Sequence, residues 1–490
     1  MESPISIRYD VLDIVDITKF PAHGSRLQKL QNPSRIGISA WWHLLINQKR
    51  MRPQIKWPSL RVVLIAAALL RLASLALIRS FLHPQTWEFG PLAENIVKGL
   101  GYSDLMRNGT YQPSIYMPPA YPYFLAIFYR IGGERPVTFL VVALIQAGLG
   151  VLLVYLVYRL ALILLGKPEA IVAACLVAIY PTQVYMCNEF HPINIYIVLE
   201  AATVFFLVRY LELSASWRDL SLAGISAGIL MSFRGETPAL ILLYAAILLL
   251  RAGLKGAKPA LVFLLIAFAC LAPWTIRNYR VFGRIVPVCA SGGLNLWIGN
   301  NPIATGDDRY RVADIVRSDF LTGEVSPDEF EQLPAEVKQA FSRIPIDPNS
   351  QIAKDEVLKH LAISFMRIHP KEEAILSLKK SFAFFVFDPQ HEKGSQLMYW
   401  LPSILLSLLA LWGAVLRRKR LLGQDLLLLA SILFAFAVGI VVFVLPRYKI
   451  VVDPFIMIFA ATALCGLTGT GRPSRESLTS AVHSAGPSRS

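Results

Sequence analysis

Charged residues are scarce in this chain of 490 residues. Asp, Glu, Lys and Arg together make up 17% of it, whereas hydrophobic residues make up 55%, and the mean hydropathy is +0.50. A typical soluble domain carries about 25% charged residues. The composition therefore excludes an ordinary soluble protein and predicts a chain that crosses a membrane repeatedly.

Cysteine is also scarce, and the five cysteines show no pairing pattern. Cys175, Cys270 and Cys465 fall inside apolar runs, Cys187 ends one, and Cys289 stands alone in a loop. The sequence contains no CxxC motif and no zinc-ligand spacing. It therefore predicts neither a disulfide framework nor a metal centre, and we assign no metal ligand.

The sequence lacks a signal peptide and a soluble basic domain. Residues 1–57 are mostly polar, without the early apolar core of a signal peptide. The formal net charge is +15, but most basic residues lie in short loops between apolar runs. The positive-inside rule accounts for them there. Nucleic acid is therefore not an expected partner.

Apolar runs are abundant. Ten candidate membrane spans are predicted, at approximately 60–80, 137–160, 169–187, 192–210, 219–233, 238–252, 259–274, 397–416, 424–446 and 449–468. Basic clusters precede the first span and follow the sixth, eighth and tenth, so that side should be cytoplasmic. The predicted fold is an all-α polytopic membrane protein with about ten or more transmembrane helices and both termini inside.

The spans predict five regions. These are a cytoplasmic N-terminal tail (1–58), a transmembrane module (59–274) with an outer loop (80–136), an extracytoplasmic region (275–396), C-terminal transmembrane helices (397–468) and a disordered cytoplasmic tail (469–490). The extracytoplasmic region should be mixed. Its beginning is β-branched and turn-rich, which favours irregular or strand structure, and its end favours amphipathic helices resting on the membrane.

Two segments interrupt this pattern of spans. "PPAYPYFLAIFYRI" at 118–131 is apolar but too short to cross about 30 Å of hydrocarbon, so we expect a helix embedded at the outer surface. "SFRGETP" at 232–238 places charges, a glycine and a proline between two short apolar runs. It predicts a helix break near the outer face.

Four stretches together resemble a known family. They are "WEFGPLAENIVKGLGYS", "MPPAYPYFLAIFYRIGG", "APWTIRNYRVFGRIVPVCASGGLNLWIGNNP" and "LPRYKIVVDPFIMIFAATAL". Their order and sidedness, over roughly residues 59–467, resemble membrane glycosyltransferases of the GT-C class. Within that class they resemble the bacterial branch similar to protein mannosyltransferases (glycosyltransferase family 39) and aminoarabinose transferases.

The resemblance implies a reaction and its partners. The donor would be a polyprenyl-phosphate-linked sugar, and the acceptor a glycan, lipid or protein, with inversion at the anomeric carbon. The expected location is the inner (plasma) membrane, in contact with its lipids, with the catalytic side extracytoplasmic.

The resemblance also implies catalytic acids. Glu88 matches the family's first acidic position and is the predicted catalytic base. Many relatives have a second acid beside it, whereas here the neighbour is Phe89. Glu189 resembles the second acidic position. The alternatives are a charge complementing a helix dipole at Glu88 and a solvated loop charge at Glu189.

Three arginines are candidates for the donor phosphate: Arg447, Arg234 and Arg277. Arg447 lies where relatives often carry a basic residue, and nearby Lys449 is expected to extend only to the interface. The alternatives are a pair between Arg234 and Glu236, and interfacial anchoring at Arg277.

His191, Tyr102 and Tyr116 are candidate substrate-binding residues. A polar loop residue and two residues of an aromatic belt are the alternatives. Glu88, Glu189 and His191 leave a divalent cation open, although three ligands from two loops form a weak pattern. No other cofactor is expected.

Other classes of protein remain as alternatives. A secondary transporter would explain the spans and the broken helix, but it usually shows repeated halves and binding groups at the midplane. A lipid-linked oligosaccharide ligase or flippase would more often place its large outer loop late, without an acidic first loop. A structural scaffold would not need the outward-facing acids and arginines.

Overall fold

The computed structural model describes residues 57–106, 109–308, 310–322, 326–344, 347–386 and 396–468. The two predicted tails, 1–58 and 469–490, therefore lie almost entirely outside the described residues.

Helices dominate the described residues. In chain order they are α1 (Leu60–Ile78), α2 (Phe89–Val97), α3 (Ala120–Gly132), α4 (Pro136–Leu164), α5 (Lys167–Ile179), α6 (Pro181–Tyr185), α7 (Ile193–Arg209), α8 (Trp217–Met231), α9 (Thr237–Ala252), α10 (Ala257–Phe282), α11 (Gly292–Gly299), α12 (Arg311–Thr322), α13 (Pro327–Glu331), α14 (Ala335–Phe341), α15 (Ser350–Ile368), α16 (Pro370–Phe385), α17 (Leu397–Leu416), α18 (Leu426–Val441) and α19 (Pro446–Thr468). Short 3-10 turns occur at Ser80–Leu82, Met186–Asn188 and Gly253–Gly256, and a π-helical turn at Tyr210–Ser214.

Long apolar helices identify a multi-pass membrane protein. Five described helical runs are long and apolar enough to cross a membrane: Leu60–Ile78, Pro136–Leu164, Ile193–Leu213, Thr237–Phe282 and Arg447–Thr468. The pair Lys167–Ile179 and Pro181–Asn188, bent by 57°, gives a sixth if it counts as one span. Trp400–Leu416 and Leu426–Val441 are shorter apolar helices. The number of ten spans stays a prediction.

The two predicted interruptions are present. Helix α3 has 13 residues, a length of about 20 Å that is too short for a span, and it packs against α2 and α4. Its depth in the membrane stays a prediction. Helix α8 ends at Met231 and α9 begins at Thr237, which confirms the break at 232–238.

Strands occur at a place that the sequence did not indicate. β1 (Ser103–Leu105) and β2 (Tyr111–Pro113) pair antiparallel inside the first predicted outer loop. Over the described part of 275–396 there is no strand: α10 continues to Phe282, and an irregular stretch leads to α11. Of the two predicted alternatives, irregular structure is present at residues 283–291. The strand alternative is wrong, because β-branched residues favour strands only where a neighbouring strand can pair with them.

Helices of the predicted extracytoplasmic region build a second hydrophobic cluster. Trp297 of α11, Phe320 of α12 and Leu358 of α15 are buried in it. The cluster also includes Tyr116 from the first loop and Phe443 from the turn before α19. This packing joins the region to the rest of the bundle on the side where the candidate site lies.

Ionic contacts tie the turns at one end of the bundle together. Arg417 pairs with Asp425 at 2.6 Å and donates to the carbonyl oxygen of Leu164. Arg251 pairs with Glu212 at 2.7 Å and donates to a backbone carbonyl of the loop after α17. The turns after α4, α7, α9 and α17 therefore share one end, as the predicted alternation of loops requires.

Arg71 supports a bend in the α5–α6 pair. This arginine lies in the middle of α1 and is fully buried. Its guanidinium donates at 3.1–3.5 Å to the backbone carbonyls of Ala67, Val177, Ala178 and Gln183. Pro181 has no N–H for the Val177 carbonyl, which a regular helix would require. Arg71 supplies the hydrogen-bond donor that Pro181 lacks, because the hydrocarbon of the membrane offers none.

The close approach of α17 and α19 gives the first prediction. An added Cβ at Gly413 would lie 1.8 Å from the carbonyl oxygen of Phe459, so Gly413→Ala must push the helices apart. We expect a loss of about 1–3 kcal/mol in stability, measured as a lower melting temperature in detergent. Gly148→Ala in α4 is the matched control, because a Cβ there meets nothing within 4 Å. Equal melting of both variants would contradict the packing.

Candidate active site

A cavity of about 390 Å³ lies where α7 and α19 begin and α8 ends. This is the end of the bundle opposite the turns that follow α4, α7, α9 and α17, which we call the tied end. Five of the predicted site residues line it: Glu88, Tyr116, His191, Arg234 and Arg447. Glu189, Tyr102 and Arg277 are not among its lining residues.

Glu88 is the N-terminal flanking residue of α2, but its side chain makes no capping hydrogen bond. Within the described chain no ion pair or hydrogen bond involves its carboxylate. The preceding Trp87 has a φ of 51°, which is strained for a bulky residue. The following Phe89 packs edge-on against Tyr121 and His191, with ring centroids at 5.3 and 5.5 Å. These aromatic residues hold the half-buried carboxylate at the cavity.

Arg234 pairs with Glu236 at 2.5 Å, so the paired interpretation is confirmed although the arginine also lines the cavity. Its guanidinium lies over the rings of Tyr196 and Tyr448, 5.4 and 4.9 Å from their centroids. Burial disfavours the charged form, but Glu236 and the two tyrosines outweigh it, and the pKa of Arg234 lies above its ordinary value. The side chain is a permanent cation.

Arg447 stands at the start of α19, with its guanidinium 6.0 Å from the ring centroid of Tyr448. It makes no ion pair with any described residue. Lys449 differs: it is buried and pairs with Asp453 at 2.7 Å. The expectation that Lys449 only extends to the interface is therefore wrong, because the buried carboxylate of Asp453, four residues further along the helix, pairs with its ammonium group.

Two charged residues of the cavity were not predicted. Asp308 and Arg317 both line it and pair at 3.2 Å. They come from the region around α12, which has no motif in the sequence, and only the packing of α12 beside Tyr116 brings them here. Among the described residues, the lining therefore has three carboxylates and three guanidinium groups. Arg234–Glu236 and Arg317–Asp308 form ion pairs, whereas Glu88 and Arg447 form none with a described residue.

His191 and Tyr116 supply neutral groups. Burial, together with Arg447 and Arg234, lowers the pKa of His191 well below its ordinary value, so the ring is uncharged. Its Nδ1 accepts a hydrogen bond from the Ile193 backbone N–H at 3.3 Å, which places the ring proton on Nε2. Burial and the nearby Glu88 raise the pKa of Tyr116, so its hydroxyl keeps its proton.

Tyr102 and Arg277 hold the cavity wall in place. The Tyr102 hydroxyl donates to the carbonyl of Met117, a lining residue, at 2.8 Å. Arg277 donates to the carbonyls of Tyr102 and Ser114 at 3.0 and 2.9 Å. These contacts fix the hairpin of β1 and β2 beside the cavity. Direct roles for Tyr102 in sugar binding and for Arg277 in phosphate binding stay predictions.

Glu189 lies behind the cavity rather than in its lining. Its backbone carbonyl accepts a hydrogen bond from Gln146 at 3.0 Å, and the role of its carboxylate stays a prediction. Glu88, Glu189 and His191, the three candidate ligands of a divalent cation, therefore do not line the same cavity. In the part of the chain that the structure describes, no group of three or more His, Cys, Asp or Glu could hold a metal ion.

The chain is similar, at low identity, to several solved structures. The apo oligosaccharyltransferase of Archaeoglobus fulgidus has a TM-score of 0.47 and 15% identity, over 88% of this chain and 52% of that one. ArnT from Cupriavidus metallidurans bound to undecaprenyl phosphate has a TM-score of 0.35 and 15% identity, over 84% of this chain and 78% of that one. The present chain spans about half the length of the archaeal enzyme. Similarity this low does not transfer an activity.

A family model gives the more specific comparison. No curated protein sequence matches the chain. Residues 116–276, about a third of the chain, match the family described as dolichyl-phosphate-mannose-protein mannosyltransferase. The matched segment runs from Tyr116 to Ile276 within α10 and includes His191 and Arg234. The match confirms the predicted resemblance of this chain to the GT-C class of membrane glycosyltransferases.

Proposed function

We propose that this protein is a glycosyltransferase that moves a sugar from a polyprenyl-phosphate donor to an acceptor at the outer face of the membrane, with inversion at the anomeric carbon. One observation carries the proposal: Glu88 and Arg447 line the same cavity with opposite charges, and neither pairs with another described residue. Ionisable residues of a membrane protein that face a cavity commonly mark a substrate site.

Glu88 would act as the general base. The acceptor hydroxyl loses its proton as its oxygen forms a bond to the anomeric carbon of the sugar, and the carboxylate takes that proton. A positioned base contributes about a hundred- to ten-thousand-fold in rate. Because the carboxylate neither caps α2 nor joins an ion pair among the described residues, it is available to take that proton.

Arg447 would bind the phosphate that leaves. As the bond between the anomeric carbon and the phosphate oxygen breaks, its electron pair stays on the phosphate, and a fixed guanidinium nearby stabilises the developing charge. Arg234 would be a second donor, although Glu236 shares it. The apolar Val438, Val442 and Phe443 also line the cavity, which suits a lipid-linked substrate.

His191 and Tyr116 would orient the sugar or the acceptor through uncharged hydrogen bonds. The acceptor would be a glycan, lipid or protein with a free nucleophile. The location would be the inner (plasma) membrane. The tied end carries Arg251 and the basic run 417–420, and the positive-inside rule would place it in the cytoplasm and the cavity outside.

Sidedness can be tested by labelling single cysteines with a membrane-impermeant maleimide in a background without the native cysteines. Cysteines at Glu94 and Arg284, both exposed near the cavity end, should react in intact cells. Cysteines at Lys255 and Lys419, exposed at the tied end, should react only after permeabilisation. Reaction of position 419 in intact cells would contradict an outward-facing cavity.

The role of Glu88 predicts a large loss of turnover in Glu88→Gln. Glutamine keeps the shape of the side chain but cannot take the proton, so transfer should fall about a hundred-fold or more while donor binding is kept. Glu94→Gln is the control, since Glu94 lies in the same helix and pairs with Lys98 at 2.6 Å on an exposed face. It should transfer at close to the normal rate. Near-normal transfer by a folded Glu88→Gln protein would refute the assignment.

The role of Arg447 predicts weaker donor use in Arg447→Gln. Loss of charge-assisted hydrogen bonds worth about 1.5–3 kcal/mol should reduce donor binding or turnover about ten- to a hundred-fold. Arg284→Gln is the matched control, because Arg284 is exposed and pairs with Glu356 away from the cavity. Lys449 is unsuitable, since its removal would leave Asp453 buried without its partner. Equal donor affinity in both variants would mean that the phosphate lies elsewhere.

A further inference from the structure

A second, smaller cavity of about 20 Å³ lies behind the Arg234–Glu236 pair. It shares Arg234, Glu236, Tyr196 and Tyr448 with the main cavity. Its deepest acidic residue is Glu200 of α7, seven positions beyond the first residue of that helix. This position is about 10 Å further from the main cavity along the helix axis.

Glu200 is only half satisfied. The side chain is 1% exposed, and one carboxyl oxygen accepts a hydrogen bond from the Tyr244 hydroxyl at 3.3 Å. The same hydroxyl lies 2.6 Å from the Ser431 hydroxyl. The other oxygen, Oε2, is buried and has no hydrogen-bond partner among the described residues. Buried polar atoms are normally satisfied, so an unsatisfied one beside an open space points to an occupant.

The size and lining of the small cavity identify that occupant. A buried water needs about 10–15 Å³ of such space and two to four polar partners. The cavity offers about 20 Å³, enough for one water and too little for a sugar or a phosphate. The carboxyl group of Glu200, which lines the cavity, is one partner. Arg234 is another, because a guanidinium carries five N–H donors, more than the single carboxylate of Glu236 uses.

We propose that Glu200 is a positioning residue, which holds the Arg234–Glu236 pair through one buried water in the small cavity and so orients Arg234 toward the donor phosphate. Without the water, the inner N–H donors of Arg234 would have no acceptor, and the guanidinium would be free to turn away from the main cavity. With the water in place, both groups are satisfied and the outer N–H donors stay directed at the main cavity. This inference rests on the proposed function.

The role requires a hydrogen-bonding group at the end of the Glu200 side chain. Two substitutions at this position differ in whether they keep such a group. Glu200→Gln keeps two polar atoms at the end of the side chain, whereas Glu200→Leu keeps none. With undecaprenyl phosphate as the probe, titrated into the purified protein in detergent, we expect the dissociation constant to rise about five- to ten-fold in Glu200→Leu. Glu200→Gln should stay within about two-fold of the unsubstituted protein. Equal weakening in both variants would overturn the inference.

A third variant tests the water without changing Glu200. Ala435 of α18 lines the small cavity, and Ala435→Val fills that space and expels the water. It should weaken probe binding as Glu200→Leu does, and it carries the test if the leucine variant does not fold. Unchanged binding in a folded Ala435→Val protein would overturn the inference.

The failure of the proposed function has a different signature. If the unsubstituted protein does not bind undecaprenyl phosphate, the proposed function fails and this inference fails with it. If that protein binds and Arg447→Gln weakens binding, but Glu200→Leu binds normally, then only the role of Glu200 is lost.

Discussion

A helix that breaks inside hydrocarbon leaves backbone groups that no water can satisfy, and the site of this protein depends on how its breaks are satisfied. The α5–α6 bend is held by Arg71, which donates to carbonyls at the bend itself. After that bend the chain reaches His191, which lines the cavity. The break between α8 and α9 brings Arg234 and Glu236 to the same cavity. The irregular positions in the bundle are therefore the ones that present functional groups.

Ion pairs distinguish charged side chains that stabilise the fold from those that remain free to bind a substrate. The buried Lys449 and Arg417 each pair with a carboxylate of their own, at 2.7 and 2.6 Å. Of the three arginines that the described lining contains, Arg234 and Arg317 pair with carboxylates, whereas Arg447 pairs with no described residue. A charge left over at a water-filled boundary costs less than one in hydrocarbon. The boundary is therefore where a protein can keep an unmatched cation for a phosphate and an unmatched carboxylate for a proton.

The sequence predicted the cavity residues that border apolar runs, because a polar or charged residue beside such a run is conspicuous. Glu88, His191, Arg234 and Arg447 are of this kind. Asp308 and Arg317 could not be predicted, since they lie in a polar region where nothing distinguishes them and only the packing around Phe320 brings them to the cavity. The hairpin at 103–113 was missed because its strands are three residues long.

Arg71 and Glu200 were missed for another reason: each is a single charge inside an otherwise apolar run, and averaging hydropathy over a span hides it. Both are buried, and each has an atom without a hydrogen-bond partner in the described structure, Nε of Arg71 and Oε2 of Glu200. Their surroundings differ. An added Cβ at Gly150 would lie 2.3 Å from Nε of Arg71, so protein packs tightly there and Arg71 serves the fold alone. Open space lies beside Glu200 and continues to Arg234. A buried ionisable residue therefore serves only the fold where the surrounding packing is tight, as at Arg71. Where a water-sized space connects it to the cavity, as at Glu200, it can also influence the candidate site.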